Sequence, residues 1–136
     1  MPDKNVKTVQ RFFESAAKGD VPGARSVLDN NIEWIEPEAR GLWFSGTHRG
    51  ADAALKEVVA PTFDNVDNFS IPIDEYLDAG DNIITIGAFH GNAKATRQEF
   101  NIPVCFVCTV KNDKIVRFRA YHNTAMWLEA MGQPVA

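Results

Sequence analysis

The chain has 136 residues, 45% of them apolar and 24% charged, with a formal net charge of −4. That length carries one domain with a sizeable core, residues 1–136 as a single unit, and hardly two. Interspersed charges of both signs argue against a nucleic-acid footprint or a basic membrane surface, and no apolar stretch approaches the ~20 residues that a bilayer span needs. The start, Met1-Pro2-Asp3-Lys4, opens a charged amphipathic segment rather than a signal peptide, so a cytoplasmic location is expected.

From Asn5 to Ala17, apolar residues recur at Val6, Val9, Phe12, Phe13, Ala16 and Ala17, the spacing of one helix face, and Gly19 stops the helix. Asp20 reads as the N-cap of a second helix with Pro22 in its first turn and Val21, Ala24, Val27 and Leu28 along it, so the two form a helical hairpin.

An apolar strand follows, Ile32-Glu33-Trp34-Ile35, ending at Glu36 before Pro37. Period-two alternation sends Glu36 to the face of Ile32 and Trp34, and Glu33 to the opposite, solvated face. A carboxylate aimed at an apolar interior is costly without a use or a partner, and burial there raises its affinity for protons. The other reading turns Glu36 outward at Pro37 into water.

Residues 38–49 read as irregular, with Trp43-Phe44 exposed-looking. A third helix runs from Ala51 to about Val59, with Leu55, Val58 and Val59 inward and Pro61 closing it. Phe69, Ile71, Ile73, Glu75 and Leu77 alternate as a strand that Pro72 makes edge or bulged. Strands over Ile83–His90, Gln98–Val110 and Ile115–Asn123 form a meander joined by turns at Asp78–Asn82 and Asn112-Asp113, and a short helix, Ala125–Met131, ends at Gly132. Three helices followed mostly by strands make the chain α+β: a curved, mostly antiparallel sheet with the helices on its concave face.

Cys105 and Cys108 have Cys-x-x-Cys spacing, but on a strand they point to opposite faces, against both a disulfide and a metal clip. Glu36, His90 and His122 are ligand-type residues without a metal-site spacing, so neither a metal nor a cofactor is expected.

Val9-Gln10-Arg11-Phe12, Gly19-Asp20, Ile35-Glu36-Pro37, Thr47 to Ala54 and Pro103 to Asn123 together resemble the NTF2-like superfamily, in its ketosteroid-isomerase and SnoaL-like polyketide-cyclase branch. The resemblance implies a conical α+β barrel wrapped around the helices, an apolar pocket between helices and sheet, and a homodimer through the outer sheet face. It does not imply one reaction. Ketosteroid isomerase, which serves as a general example of tuned carboxyl groups, has a base aspartate before a proline, and that position falls on Glu36. Its oxyanion tyrosine falls on Phe12 and its protonated aspartate on Cys105, a weak donor. Each lost donor costs on the order of 3 kcal/mol of transition-state stabilisation, so steroid isomerisation by that mechanism is not expected.

If Cys105 faces the pocket, so do Pro103, Val107 and Thr109, and the apolar row Ile102, Val104, Phe106 and Cys108 becomes a dimer surface. The same alignment turns Phe118, Ala120 and His122 inward, which makes His122 the partner for Glu36 in a proton shuttle, or a hydrogen-bonded structural histidine. His90 closes a pocket-facing row, Ile84, Ile86 and Ala88, as a site or rim residue, and His48 belongs on the surface or at a cap. Trp34, Trp43, Phe44 and Phe118 form apolar walls. Two function classes follow: a cofactor-independent isomerase, cyclase, dehydratase or hydrolase moving protons on a small apolar or polyketide-like compound, or a non-catalytic ligand-binding or accessory dimer. A pocket filled by Phe12 and Trp34 would mark a purely structural module.

Overall fold

The computed structural model describes residues 2–134, so the charged start at Met1 and the last two residues of the chain lie outside the described residues. Helix α1 spans Pro2–Ala17 and buries Val9, Phe12 and Phe13. It ends as the sequence dictates, at Gly19 with φ +72°, where Gly19 N–H donates to the Ala16 carbonyl and Asp20 N–H to that of Ser15. Asp20 then accepts from Gly23 N–H and caps α2, Val21–Ser26. This helix is shorter than its apolar spacing suggests: Val21 is exposed, and Leu28 already opens β1, Leu28–Ile35.

The other strands are β2 (Thr47–Arg49), β3 (Val66–Ser70), β4 (Ile73–Ala79), β5 (Asn82–Ala93), β6 (Glu99–Lys111) and β7 (Lys114–His122). They form one curved, unclosed sheet in the order β2-β1-β7-β6-β5-β3, with β4 also paired to β5. All neighbours are antiparallel except β1 and β7, which run parallel and bring Trp34 opposite Phe118. The first strand thus pairs with the last one. Helix α5, Thr124–Ala130, is capped by Asn123, which accepts from Met126 N–H, and covers the end of the core with Trp127.

Pro61 does not close the third helix. Helix α3 (Ala51–Ala54) passes through a π-helical turn at Leu55–Val59 into α4 (Ala60–Asn65), with Pro61 in the first turn of α4. A wide turn just before a proline relieves the clash of its ring with the preceding turn and needs no N–H from it. Pro72 acts as its position demands. It splits the edge into β3 and β4, and its carbonyl accepts from Ala88 N–H on β5 beside Gly87. A side chain on Gly87 would meet that carbonyl at 2.3 Å, so glycine is what lets the edge fold over the sheet.

The faces of β5 and β6 are opposite to those expected from the alignment of Cys105. Phe100, Ile102, Val104, Phe106 and Cys108 are buried on the concave face, while Pro103, Cys105, Val107 and Thr109 point outward. On β5 the buried row is Ile83, Thr85 and Phe89, and Ile84, Ile86, Ala88 and His90 lie on the convex face. The reason is burial itself: on β6 the row that moved inward carries the larger apolar surface, and each such side chain contributes about 1.5–3 kcal/mol when fully buried. Directly paired residues share a face. Val104 stands opposite His122 and Cys105 opposite the exposed Tyr121.

Residues 37–46 are packed down, not loose. Ala39, Leu42 and Phe44 are buried, and Ser45 Oγ accepts from Ala39 N–H. His48, expected at the surface, is buried instead. Its Nε2–H donates to the Phe44 carbonyl at 2.7 Å, and its Nδ1 lies 2.7 Å from Glu57 Oε1 on the π-helical turn. One ring ties the loop to the helix. His48→Ala should cost about 2 kcal/mol for the two lost bonds, measured by urea unfolding, whereas the exposed partner's substitution Glu57→Gln should cost under about 1 kcal/mol.

Burial pushes the Cys108 thiol well above its usual range, and the half-buried Cys105 is raised less by the same cause. In the folded protein a thiol reagent should therefore label Cys105 alone, faster as pH rises, and reach Cys108 only after denaturant is added. Mass spectrometry of the labelled peptides reads the result; labelling of Cys108 first would reverse the two faces of β6.

Candidate active site

Ile32, Trp34 and Glu36 share the concave face of β1, all buried. Glu36 lies just beyond the strand, but its N–H still donates to the Gly46 carbonyl, which holds the alternation for one residue more. Its side chain is 5% exposed and that of His122, at the end of β7, 1%. Glu36 Oε1 lies 3.0 Å from His122 Nε2, and Oε2 accepts from Trp34 Nε1–H at 2.7 Å. Two buried groups that would each be costly alone satisfy one another.

Glu33, on the convex face, has a different fate. It is ion-paired with Arg49 on β2 and Arg117 on β7, at 3.0 Å each. Those half-exposed pairs contribute little energy but align three strands.

The walls around the pair are aromatic. Trp34 stacks on Phe118 at 3.9 Å between ring centroids, and Phe12 meets both edge-on at 5.8 and 5.5 Å. The His122 ring is held edge-on by Phe44 at 5.0 Å and Phe89 at 5.1 Å, with Trp127 at 6.2 Å. Such contacts fix the imidazole plane with little freedom left. Between them is a cavity of about 70 Å³, partly open and lined also by Ala17, Phe63 and Ile71. Glu36, His122, Thr62 and Ser70 are its main polar lining.

Of the expected wall residues, Phe12, Trp34, Phe44 and Phe118 line this cavity. Trp43 does not: its ring braces Phe44 and Trp127 from behind, and its indole N–H donates to Thr62 Oγ1 at 3.0 Å. His90, Cys105 and Val107 are on the convex face and take no part. Phe89 and Phe106 replace them. On β5 the signal was present in Gly87 and Gly91, which alternate with Phe89 and mark the strand face that another backbone closely approaches. Trp127 had no such signal, since a short closing helix does not reveal which way its one indole points.

Among the described residues, no group of three or more His, Cys, Asp or Glu side chains could hold a metal ion, and no helix is long and apolar enough to cross a membrane.

No functionally curated protein matches the sequence. An NTF2-like protein of Burkholderia xenovorans is 30% identical, covers 95% of this chain over 96% of its own, and superposes with a TM-score of 0.82. A protein of Jannaschia described as a SnoaL-like polyketide cyclase is 17% identical, with 98% and 94% of the two chains covered and a TM-score of 0.83. TerC, co-crystallised with polyporic acid, is 18% identical, with 96% and 99% covered and a TM-score of 0.85. The SnoaL-like domain model matches residues 9–118, from the second half of α1 through the Glu36 strand to Phe118 on β7, short of His122, and the chain therefore belongs to the SnoaL-like, NTF2-like family.

Proposed function

We propose that the protein is a small-molecule enzyme of the SnoaL-like type that moves a proton without a cofactor, acting as an isomerase, cyclase, dehydratase or hydrolase on a small apolar or polyketide-like compound. The observation that carries this reading is the 3.0 Å contact between Glu36 and His122, both almost fully enclosed in an aromatic cavity. The fold is shared with TerC, which was co-crystallised with polyporic acid, a precedent for a small ligand on this fold.

The hydrogen bonds divide the labour. An ionised carboxylate only accepts, so Glu36 takes N–H from Trp34 at one oxygen and from His122 Nε2 at the other. Its lone pairs toward the ring and the indole are engaged. His122 Nδ1 has no protein partner, which makes it the group with a free lone pair. Glu36 fixes the tautomer and stabilises the imidazolium, while Nδ1 takes a proton from a carbon beside a carbonyl and returns it to another atom of the same molecule. The roles are thus the reverse of a simple carboxylate base. The surrounding rings exclude water, which strengthens each electrostatic term.

One observation favours a second reading, a non-catalytic ligand-binding or accessory module. At the roughly 10–15 Å³ that one enclosed water needs, a cavity of about 70 Å³ takes only about five waters, so a larger ligand must extend beyond it. Both readings meet one experiment. Cyclohexanone in D2O with the wild-type protein should lose its α-protons, followed by proton NMR, at a rate that Glu36→Gln and His122→Gln each cut by roughly 100-fold or more. No exchange above that of free imidazole at the same concentration, with cyclohexanone affinity equal in wild type and Glu36→Gln, favours the binding module.

The convex sheet face is proposed as a homodimer surface, through a different row from the one read in the sequence. Leu77, Ile86 and Tyr121 are 44%, 37% and 53% exposed there, beside the half-buried Ile84 and Val107. Light scattering should give twice the chain mass for the wild type and a monomer for Ile86→Lys with unchanged circular dichroism. A wild-type monomer at micromolar concentration overturns it.

A further inference from the structure

Three indole N–H groups are buried near this cavity, and two have partners: Trp34 donates to Glu36 and Trp43 to Thr62. Trp127 does not. Its Nε1 is enclosed and has no hydrogen-bond partner among the described residues, the same holds for His122 Nδ1, and both residues line the same cavity. An unmet buried donor or acceptor costs roughly 1–3 kcal/mol each, so two on neighbouring rings call for a common partner. The two rings are neighbours, with centroids 6.2 Å apart in an edge-to-face arrangement.

We propose that Trp127 Nε1–H and His122 Nδ1 form a two-point recognition site for one hydroxyl group, phenolic or enolic, carried on a small apolar or aromatic body. The hydroxyl oxygen accepts from the Trp127 indole, and its O–H donates to His122 Nδ1. The two contacts are complementary, because an indole only donates and an imidazole whose Nε2 holds the proton only accepts at Nδ1. A carbonyl, which cannot donate, satisfies Trp127 alone and leaves the histidine lone pair free toward a neighbouring carbon. The site therefore accommodates both the keto and the enol form of one compound, with the enol held by one bond more. Phe44, Phe89 and Phe118 supply faces and edges for the ring or chain that bears the group. This deepens the proton-transfer reading and rests on its assignment of the Nε2 proton to the bond with Glu36.

Phenol and toluene, alike in size and differing in the hydroxyl, are the probes. Binding is followed by NMR of the indole N–H signals of the wild-type protein, which needs no variant to fold. Phenol should shift the Trp127 signal far more than those of Trp34 and Trp43 and bind roughly tenfold or more tightly than toluene, as expected for hydrogen bonds made in a dry site. Trp127→Phe should abolish the preference for phenol over toluene, whatever it does to the affinity for both. Equal affinity for the two probes, binding of neither, or an unmoved Trp127 signal overturns the proposal. Phenol selectivity without cyclohexanone exchange sinks the proton-transfer reading and leaves the recognition site standing; exchange without phenol selectivity does the converse.

Discussion

The contact between Glu36 and His122 is the constraint on which the rest of the molecule turns. A carboxylate and an imidazole sit together inside an aromatic core where neither could stay alone without several kcal/mol of penalty. Each is delivered by the end of a strand, and the strands are the only parallel neighbours in the sheet. Their meeting requires β1 and β7 to lie in one register, fixed on the concave face by Trp34 stacked on Phe118 and on the convex face by Glu33 between Arg49 and Arg117. The same stretch of chain thus pairs one glutamate inside with His122 and uses another outside for alignment, three positions apart.

The segment behind the pair is tied down by hydrogen bonds. His48 reaches both the Phe44 carbonyl and Glu57, so the ring that packs against His122 is anchored to the π-helical turn through a backbone atom. The turn in turn sets Thr62, which accepts from Trp43 and donates to the Val58 carbonyl. A wide helical turn, a buried histidine and two tryptophans therefore hold the imidazole plane from behind. Pre-organisation of this kind matters for proton transfer, because a reacting group displaced by about an ångström can lose orders of magnitude in rate.

Much of this was legible in the residues. The 3.6 period of α1, its Gly19 stop and the alternation Ile32, Trp34, Glu36 rest on local physics that the tertiary fold does not override. In the sequence His122 is turned inward by the alignment of Cys105 with a family position, the same alignment that puts β6 the wrong way round. The faces of β5 and β6 were not legible, because both rows of each strand are apolar and that alignment of one residue was allowed to decide between them; a slip of one residue reverses every side chain. Composition favoured the other answer, with Phe100, Ile102 and Phe106 against Asn101, Pro103 and Cys105 on β6. Pro61 misled for a different reason: a proline ends a regular helix, and nothing in the sequence announces the π-helical turn that accommodates it. The burial of His48 and the orientation of Trp127 depend on partners remote in sequence.

The parallel pairing of β1 with β7 also has a kinetic side. Glu36 and His122 are 86 positions apart, and their strands cannot associate until the chain between them has closed into a loop. The hairpins β5–β6 and β6–β7 need only short closures, so the entropic cost of the long one falls on the last step of assembly. A chain emerging from synthesis holds its acid long before it holds its histidine, and the carboxylate remains in water until the final strand arrives. Completion of the fold and creation of the Glu36–His122 pair are one event, and a molecule that frays at this seam loses the pair before it loses its sheet.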